Sequence, residues 1–300
     1  MIWREIYSHF DPVAFTFLGF KIHWYALAYI TALLCALYLG RAFVRLEERQ
    51  NPKAKLFFSL DEKLLFDYFF WVEVGVLLGA RIGYILIYVI PYEEGALMFY
   101  LTQPWQMFNP YYNGVFVGIR GMSFHGALLG ALLSSLWFAY RHKKDGVSFW
   151  RVMDLVGLSV PLGYVFGRIG NFLNQELVGR ETDVAWAISV HGILRHPSQL
   201  YEAFLEGVVV FVIVYAYYKI YRTRERFCGQ IGALFLLAYA LMRFVAEFYR
   251  EPDSQIGFVL FAFSMGQILS LLMAGIALVL FVWRKNRARC GAPSLTKSAS

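Results

Sequence analysis

Long apolar stretches separated by short polar segments dominate the hydrophobic pattern of this chain. Each stretch is close to or above the roughly 20 residues that an α-helix needs to cross a bilayer, which is too long for the interior of a soluble domain. The predicted spanning segments are residues 19–41, 64–90, 123–140, 152–170, 199–221, 229–249 and 260–283. The pattern predicts an all-α polytopic membrane protein with about seven transmembrane helices.

Two loop segments show the two-residue period of β-strands instead. "GVFVGIRG" at 114–121 and "DVAWAISV" at 183–190 alternate large side chains with small or polar ones. They predict a small extracytoplasmic head of short strands and loops, built from about 91–122 and 171–198. No repeat or linker divides the rest, so we expect a single transmembrane domain over 1–284 and a polar cytoplasmic tail over 285–300.

Composition agrees with the membrane interpretation, and charge adds an orientation. The chain is 59% hydrophobic and only 16% charged. A net charge of +7 is compatible with a nucleic-acid binder, but the lysines and arginines cluster in short segments after alternate apolar stretches. Such clusters mark cytoplasmic loops. We therefore predict no nucleic-acid partner, an N-terminus outside and a C-terminus in the cytoplasm.

Glycines spaced four residues apart recur within the predicted helices. They are Gly75, Gly79 and Gly83, then Gly126 and Gly130, and Gly163 and Gly167. Small residues at this spacing let helix backbones approach closely. Helix packing is the expected role of these glycines.

Charged residues inside the apolar stretches are the candidate site. They are Arg81, Arg168, Glu202, Glu206, Arg243 and Glu247. Charge in hydrocarbon is costly, so these side chains should face the bundle interior or a polar cavity. The predicted helix directions bring most of them to the outer half of the membrane. Tyr239, Arg243 and Glu247 share one helix face, where Arg243 and Glu247 are compatible with a structural ion pair as well as a functional one.

The residue types favour an anionic ligand. Arginine offers a planar fork of donors that matches phosphate or carboxylate, and Arg168 and Arg243 are expected to point into one cavity. Asn171 adds a neutral donor. His125 is a candidate for proton abstraction, because histidine titrates near neutral pH, although a single interfacial histidine often only bonds a carbonyl. Tyr25 and Tyr239 suit either an aromatic belt or hydroxyl donation to a lipid head group.

Metal and nucleotide chemistry find no support in the motifs. His191 and His196 have no partner at metal-ligand spacing, and CxxC, HExxH, GxSxG and glycine-rich phosphate loops are absent from the sequence. We therefore predict no metal site and no cofactor.

Six motifs in order carry a resemblance to a known family. The longest is "GRIGNFLNQELVGR" at 167–180, and the others are "HWY", "ARIGY", "GMSFHG", "RHPSQLYE" and "YALMRFVAEFYREPD". Over about residues 11–283 the chain resembles the bacterial prolipoprotein diacylglyceryl transferases. Two departures are a short 181–195 segment and a long 91–122 loop.

The resemblance implies a catalytic transmembrane domain in the bacterial inner membrane. Its reaction moves the diacylglyceryl group of phosphatidylglycerol onto the lipobox cysteine thiol of a preprolipoprotein signal peptide, and glycerol phosphate leaves. The catalytic residues implied are His125, Arg243, Tyr25 and Glu247. Those implied to bind phosphatidylglycerol are Arg168, Asn171 and Gly179, with Glu176 and Glu202 as supporting candidates. We add Tyr239 and His196 to the predicted phosphatidylglycerol-binding residues. In this interpretation Glu176 and Glu247 position the arginines or outer loops.

Two other functions remain open at this point. An anionic-lipid transporter or flippase also uses buried arginines, but internal repeats or interrupted helices are then expected. A noncatalytic assembly protein leaves the concentration of polar groups in the outer half unexplained.

Overall fold

The computed structural model describes residues 3–17, 19–50, 58–112, 114–116, 118, 121–221, 228–252, 258–260 and 263–286. The chain divides into two compact units. The first comprises Met1–Phe58 and Trp150–Ser300, and the second comprises Ser59–Phe149.

Helices account for most of the described residues. They are α1 (Trp24–Gln50), α2 (Glu62–Tyr84), α3 (Ala96–Thr102), α4 (Phe124–Arg141), α5 (Phe149–Leu173), α6 (Ser198–Glu202), α7 (Val210–Tyr221), α8 (Gln230–Ala246) and α9 (Met265–Asn286). A π-helical turn, Ile85–Val89, continues α2, and another, Ala203–Val209, joins α6 to α7. Short 3-10 helices lie at Ile6–Ser8, Pro104–Phe108 and Lys143–Asp145.

Helices lie at each of the seven predicted segments, which makes this a mostly helical, multi-pass membrane protein. Among the described residues, five helices are long and apolar enough to cross a membrane: Trp24–Gln50, Glu62–Val89, Phe149–Leu173, Ser198–Tyr221 and Met265–Asn286. Helix α8 is apolar but has only 17 residues, and α4 has 18. The count of seven spans stays a prediction.

The described strands form two-stranded antiparallel hairpins. They pair β1 (Val13–Phe17) with β2 (Phe20–His23), β3 (Tyr111–Tyr112) with β4 (Val115–Phe116), β5 (Ile188–Val190) with β6 (Ile193–Arg195), and β7 (Phe258–Leu260) with β8 (Phe263–Ser264). The first predicted span was placed too early. Residues 19–23 belong to the first hairpin, and α1 begins only at Trp24.

The two predicted strand segments are confirmed only in part. Of 114–121, the pair Val115–Phe116 is a strand, while residues 117, 119 and 120 lie outside the described part of the chain. Of 183–190, the strand begins at Ile188. An extracytoplasmic head, the single-domain organisation and the polar tail stay predictions, and residues 287–300 lie outside the described ranges.

Glycine contacts hold α2 against α4 in the second unit. A Cβ on Gly75 would lie 2.8 Å from the carbonyl oxygen of Gly130, and a Cβ on Gly83 would lie 2.7 Å from the Cα of Gly126. Real Cβ atoms do not come so close to backbone atoms, so the packing role predicted for these glycines is confirmed. A Cβ on Gly163 of α5 would likewise lie 2.7 Å from the carbonyl oxygen of Ala32 on α1.

Gly167 is the exception. A Cβ on it would meet no described atom within 4 Å, so the packing role predicted for it is wrong. Four-residue spacing identifies glycines on one face of a helix. Which of them lies close to another backbone depends on where the neighbouring helix packs.

A buried carboxylate fixes the start of α8 in the first unit. Oδ2 of Asp154 accepts from the backbone amide of Gly229 at 2.7 Å, and Oδ1 accepts from Ile231 and Gly232 at 2.8 and 3.0 Å. Amides in the first turn of a helix have no partner within the helix, and a negative charge is favoured there. Asp154 therefore ties α5 to the end of α8 opposite to Arg243.

Replacing Gly75 with alanine should lower the melting temperature of the detergent-solubilised protein. The new methyl group forces α2 and α4 apart, at a cost of about 1–3 kcal/mol. Gly275→Ala on α9 is the matched control, because a Cβ there meets no described atom within 4 Å, and alanine favours helix by about 0.5–1 kcal/mol. A Gly75→Ala protein that melts at or above the wild-type temperature would contradict the packing.

Candidate active site

Titratable side chains from three helical segments meet within the first unit. They are Tyr164 and Arg168 on α5, Glu202 at the end of α6, Glu206 in the following π-helix, Tyr239 and Arg243 on α8, and Glu247 and Arg250 just after α8. We call these eight residues the arginine–carboxylate cluster.

Arg168 and Arg243 contact the same two carboxylates. Nε of Arg168 lies 2.9 Å from Oε2 of Glu202, and Nη1 of Arg243 lies 3.4 Å from the same oxygen. Glu206 is shared in a similar way, with Oε2 at 3.9 Å from Nη2 of Arg168 and Oε1 at 3.3 Å from Nη1 of Arg243. The two guanidinium groups therefore lie side by side.

The hydroxyl of Tyr164 links Arg168 to Glu206. It accepts hydrogen bonds from Nε of Arg168 at 2.7 Å and from Nη2, and it donates to Oε2 of Glu206. The Tyr164 ring also lies under the guanidinium, with its centroid 4.8 Å from Cζ. The hydroxyl of Tyr239 is 3.4 Å from that of Tyr164. Arg168 is therefore held by a ring face, a hydroxyl and two carboxylates.

Arg243 is held from its own helix as well. Its Nη2 donates to Oε2 of Glu247 at 2.5 Å, one turn further along α8. The hydroxyl of Ser264 donates to the other Glu247 oxygen at 3.0 Å. A Cβ on Gly266 would lie 2.5 Å from that same oxygen, so the first turn of α9 fits closely around the carboxylate.

Charge in the cluster is balanced and buried. Three guanidinium groups, those of Arg168, Arg243 and Arg250, face three carboxylates, those of Glu202, Glu206 and Glu247. The side chains of Glu202 and Glu206 are fully buried, and that of Arg168 is 14% exposed. Removing one member of a buried pair leaves an uncompensated charge and costs about 3–5 kcal/mol. These ions therefore depend on one another.

Local helix geometry explains how the sequence brings these groups together. Residues three or four apart lie on one helix face, which aligns Tyr164 with Arg168 on α5 and Tyr239 with Arg243 on α8. The π-helix Ala203–Val209 carries Glu206, and single π-helical turns occur often at functional sites. Gly207 in this turn allows close approach to α5, since a Cβ there would lie 3.2 Å from the carbonyl oxygen of Pro161.

The segment after α5 turns back through two strained residues. Gln175 and Leu177 both have φ of 57°, in the left-handed region that side chains other than glycine, asparagine and aspartate rarely adopt. Between them, Glu176 accepts through Oε1 a hydrogen bond of 2.7 Å from Nδ2 of Asn171. Oδ1 of Asn171 in turn accepts from Nη1 of Arg168 at 3.3 Å. The turn therefore links Glu176 to the arginine–carboxylate cluster through Asn171.

The N-terminal segment is attached to the same turn. The side-chain amide of Gln175 donates through Nε2 to the backbone oxygens of Tyr7 and Phe10 at 3.1 and 3.2 Å. Tyr7 packs with Phe172 and Ile188 in a small apolar cluster, where burial raises the pKa of its hydroxyl. Residues before α1 thus help to fix the backbone that carries Glu176.

Gly179 lies where three backbone segments meet. Its amide donates to the oxygen of His196 at 3.1 Å, and it forms a β-bridge with Arg250. A Cβ at this position would lie 2.5 Å from the oxygen of His196 and 2.6 Å from that of Tyr249. The next residue, Arg180, donates to the backbone oxygens of Arg250 and Glu247 at 2.8 and 3.1 Å. Only glycine fits here without moving the residues that follow α8.

His196 belongs to an aromatic group beside this junction. Its Nδ1 lies 3.1 Å from the hydroxyl of Tyr201, and its ring contacts those of Tyr201 and Tyr249. Burial lowers the pKa of His196. The neutral imidazole is therefore favoured in the folded protein.

The junction and the arginine–carboxylate cluster both lie within the part of the chain that a known protein family matches. The model of the prolipoprotein diacylglyceryl transferase family matches residues 12–283, which include all of the arginine–carboxylate cluster. The chain belongs to this family. It is 55% identical over 289 residues to the phosphatidylglycerol–prolipoprotein diacylglyceryl transferase of Wolinella succinogenes, covering 96% of this chain and 98% of that protein.

Two further relatives bear the same name. The protein of Campylobacter curvus is 53% identical, with 95% of this chain and 98% of the relative covered. That of Campylobacter jejuni is 54% identical, with 93% and 96% covered. The family resemblance of the six motifs is thereby confirmed.

The structure brings seven of the predicted site residues into one network in the first unit. Contacts link Arg168, Asn171, Glu176, Glu202, Tyr239, Arg243 and Glu247. Gly179 and His196 lie at the adjoining junction. Glu247 contacts Arg243, as expected for a positioning residue, whereas Glu176 contacts Asn171 rather than an arginine.

Tyr25 and His125 lie outside the contacts just described. Tyr25, in the first turn of α1, is 42% exposed and packs against α5 at Gly170, where a Cβ would lie 3.4 Å from its ring. His125 belongs to the second unit. It is exposed in the first turn of α4, whose N-cap is Ser123, and its ring contacts that of Phe124.

Sequence patterns did not identify Tyr164 or Arg250 as site residues, and they marked Glu206 only as a charge in an apolar segment. Tyr164 stands four residues before Arg168, a spacing that indicates a shared face but not a hydrogen bond. Within the described residues, no group of three or more His, Cys, Asp or Glu side chains is arranged to hold a metal ion.

Gly179→Ala should lower both thermal stability and activity, because the added methyl group collides with two backbone oxygens. We expect a loss of about 1–3 kcal/mol in the free energy of unfolding, measured by thermal unfolding in detergent. Gly167→Ala is the control within the same motif, since a Cβ there meets no described atom within 4 Å. Equal melting temperatures for the two variants would show that the backbone around Gly179 accommodates a methyl group without loss of stability.

Proposed function

We propose that this protein transfers the diacylglyceryl group of phosphatidylglycerol to the thiol of the lipobox cysteine in a preprolipoprotein signal peptide. Family membership supports this transferase activity. The observation that supports the site is the contact of Arg168 and Arg243 with the same buried carboxylates, Glu202 and Glu206. Two adjacent guanidinium groups offer a phosphate several donors at once.

The reaction needs a thiolate and a stabilised leaving group. The cysteine thiol, with an ordinary pKa of about 8.5, gives its proton to a base. Sulfur then attacks the glycerol carbon that carries the phosphate ester. The sulfur–carbon bond forms as the carbon–oxygen bond breaks, and glycerol phosphate leaves with the bonding electrons. Fixed guanidinium groups stabilise its charge without a metal or nucleotide.

In this proposal Arg168 and Arg243 bind the phosphate. Asn171, Tyr25 and Tyr239 orient the glycerol, while Glu202 and Glu247 hold the arginines. Glu176 acts through Asn171, which its carboxylate binds at 2.7 Å. Gly179 and His196 shape the junction beside the head group.

His125 is proposed to assist deprotonation of the incoming cysteine. Support comes from the chemistry of imidazole, which exchanges protons near neutral pH, and from the exposure of His125 at the start of α4.

The setting proposed for the enzyme is the bacterial inner membrane, with the N-terminus outside and the C-terminus in the cytoplasm. Membrane lipids surround it there.

The activity is tested with purified protein in detergent, labelled phosphatidylglycerol and a lipobox peptide. We expect a lipid-modified peptide and free glycerol phosphate, and no adduct with a peptide in which the cysteine is replaced by serine. A protein that binds or moves phosphatidylglycerol but forms no adduct would overturn the proposal in favour of a transporter.

Arg168→Lys should reduce kcat/KM for phosphatidylglycerol at least about tenfold, because a lysine cannot match the fork of a guanidinium. Arg141→Lys on the exposed last turn of α4 is the control and should keep wild-type kinetics. Near-native activity of Arg168→Lys would show that a point charge suffices.

His125→Gln should lower kcat by about 100-fold, the usual size of a general-base contribution. The comparison is made at pH 7 and pH 9, since a higher thiolate fraction should partly replace the base. A variant with an unchanged kcat at pH 7 would remove His125 from the mechanism.

A further inference from the structure

The proposed phosphate site needs two arginines held at a fixed spacing in the absence of a ligand. Long side chains lose rotamer freedom when they are ordered. Groups that already hold them in place reduce this cost on binding. The residues that contact both arginines are therefore candidates for control of head-group affinity.

Glu206 is central among these residues. Oε1 lies 3.3 Å from Nη1 of Arg243. Oε2 accepts from the hydroxyl of Tyr164, and that hydroxyl accepts from Nε of Arg168 at 2.7 Å. Glu206 thus reaches one arginine directly and the other through a tyrosine, while its side chain is fully buried.

Glu202 has a different arrangement. Its Oε2 lies within 3.4 Å of both arginines, yet neither of its oxygens has a well-directed hydrogen-bond donor among the described residues. Glu202 therefore contributes negative charge between the two guanidinium groups but does not orient them through hydrogen bonds. Asn171 and Glu247 each bond one arginine. Of the two carboxylates that both arginines share, Glu206 is therefore the one that orients them through hydrogen bonds, directly to Arg243 and through Tyr164 to Arg168.

The backbone supports the same assignment. Glu206 lies in the π-helix Ala203–Val209, where the helical repeat changes between α6 and α7. Gly207 brings this turn close to α5 at Pro161, three residues before Tyr164. Close approach of the two backbones brings the Glu206 carboxylate within reach of the Tyr164 hydroxyl.

We propose that Glu206 and Tyr164 are positioning residues that set the spacing and orientation of Arg168 and Arg243 for the phosphate of the lipid donor. This role rests on the proposed function and extends it to two residues that touch neither the lipid nor the thiol. It predicts that their loss weakens recognition of the phosphate and leaves recognition of the peptide intact.

Tyr164→Phe isolates the hydroxyl, because the ring that lies under Arg168 remains. We expect the KM for phosphatidylglycerol to rise about tenfold, the usual effect of losing a hydrogen bond to a charged group. Inhibition by added glycerol phosphate should weaken by a similar factor. The KM for the lipobox peptide should stay within about twofold of wild type.

Tyr218→Phe is the matched control. Tyr218 is a fully buried tyrosine on α7 that donates to the carboxylate of Glu47, so the substitution removes the same kind of hydrogen bond elsewhere in the unit. Its melting temperature should fall, while the KM for phosphatidylglycerol should not change. A purely structural role for Tyr164 would give this result in both variants and would overturn the proposal.

Glu206→Gln tests the other half of the linkage, and the double variant tests whether the two act together. Glu206→Gln should raise the same KM, and Tyr164→Phe should add little in its presence, because residues of one hydrogen-bonded chain are not additive. If the double variant raised the KM by the product of the two single factors, Tyr164 and Glu206 would act independently, and the shared function would be overturned. Failure of the proposed activity is distinguishable, since the wild-type protein would then form no adduct.

Binding of labelled phosphatidylglycerol to the purified, folded variants provides a check that does not depend on turnover. Weaker binding in Tyr164→Phe and Glu206→Gln but not in Tyr218→Phe supports the proposal. Unchanged binding in all three overturns it.

Discussion

Sharing of two buried carboxylates between Arg168 and Arg243 is the interaction on which the rest of this structure depends. Neither arginine is tolerable in an apolar environment without a counter-charge, and neither carboxylate is tolerable without an arginine. The contacts at Glu202 and Glu206 satisfy both requirements at one place. Three helical segments must therefore meet there, and their packing follows from the need for neutrality.

This arrangement also explains how a membrane protein can keep two arginine side chains in position to bind an anion. A cluster of arginines alone would be costly to bury, whereas a balanced cluster keeps the guanidinium groups in place between catalytic cycles. The side chains of Arg168 and Arg243 are each 14% exposed, while those of Glu202 and Glu206 are fully buried. The carboxylates thus form the inner layer, and the guanidinium groups lie nearer to the solvent or ligand.

Local spacing predicted the parts of the site that lie on one helix. The four-residue spacing of Arg243 and Glu247 led to an ion pair, which the structure has at 2.5 Å. Apolar length likewise located the helices, because a span must satisfy its backbone within itself. The concentration of charges in otherwise apolar segments pointed to Arg168, Glu202 and Glu206 as a group.

Tertiary packing determined what the sequence could not predict. The link from Tyr164 to Glu206 depends on close approach of α5 to a π-helical turn, and neither the turn nor the approach has a periodic signal. Gly163 and Gly167 have the same spacing pattern, yet only Gly163 faces a neighbouring backbone. Residues 20–23 were predicted to belong to the first span, but pairing with 13–17 makes them a strand.

The attachment of the N-terminal segment to Gln175 has a consequence for how the chain can be altered. The backbone oxygens of Tyr7 and Phe10 accept hydrogen bonds from the side-chain amide of Gln175. The backbone there is strained at Gln175 and at Leu177. Residues that precede the first membrane crossing are thus part of the scaffold around Asn171 and Glu176. Shortening the protein from its amino end would remove a brace from a turn whose conformation is unfavourable on its own.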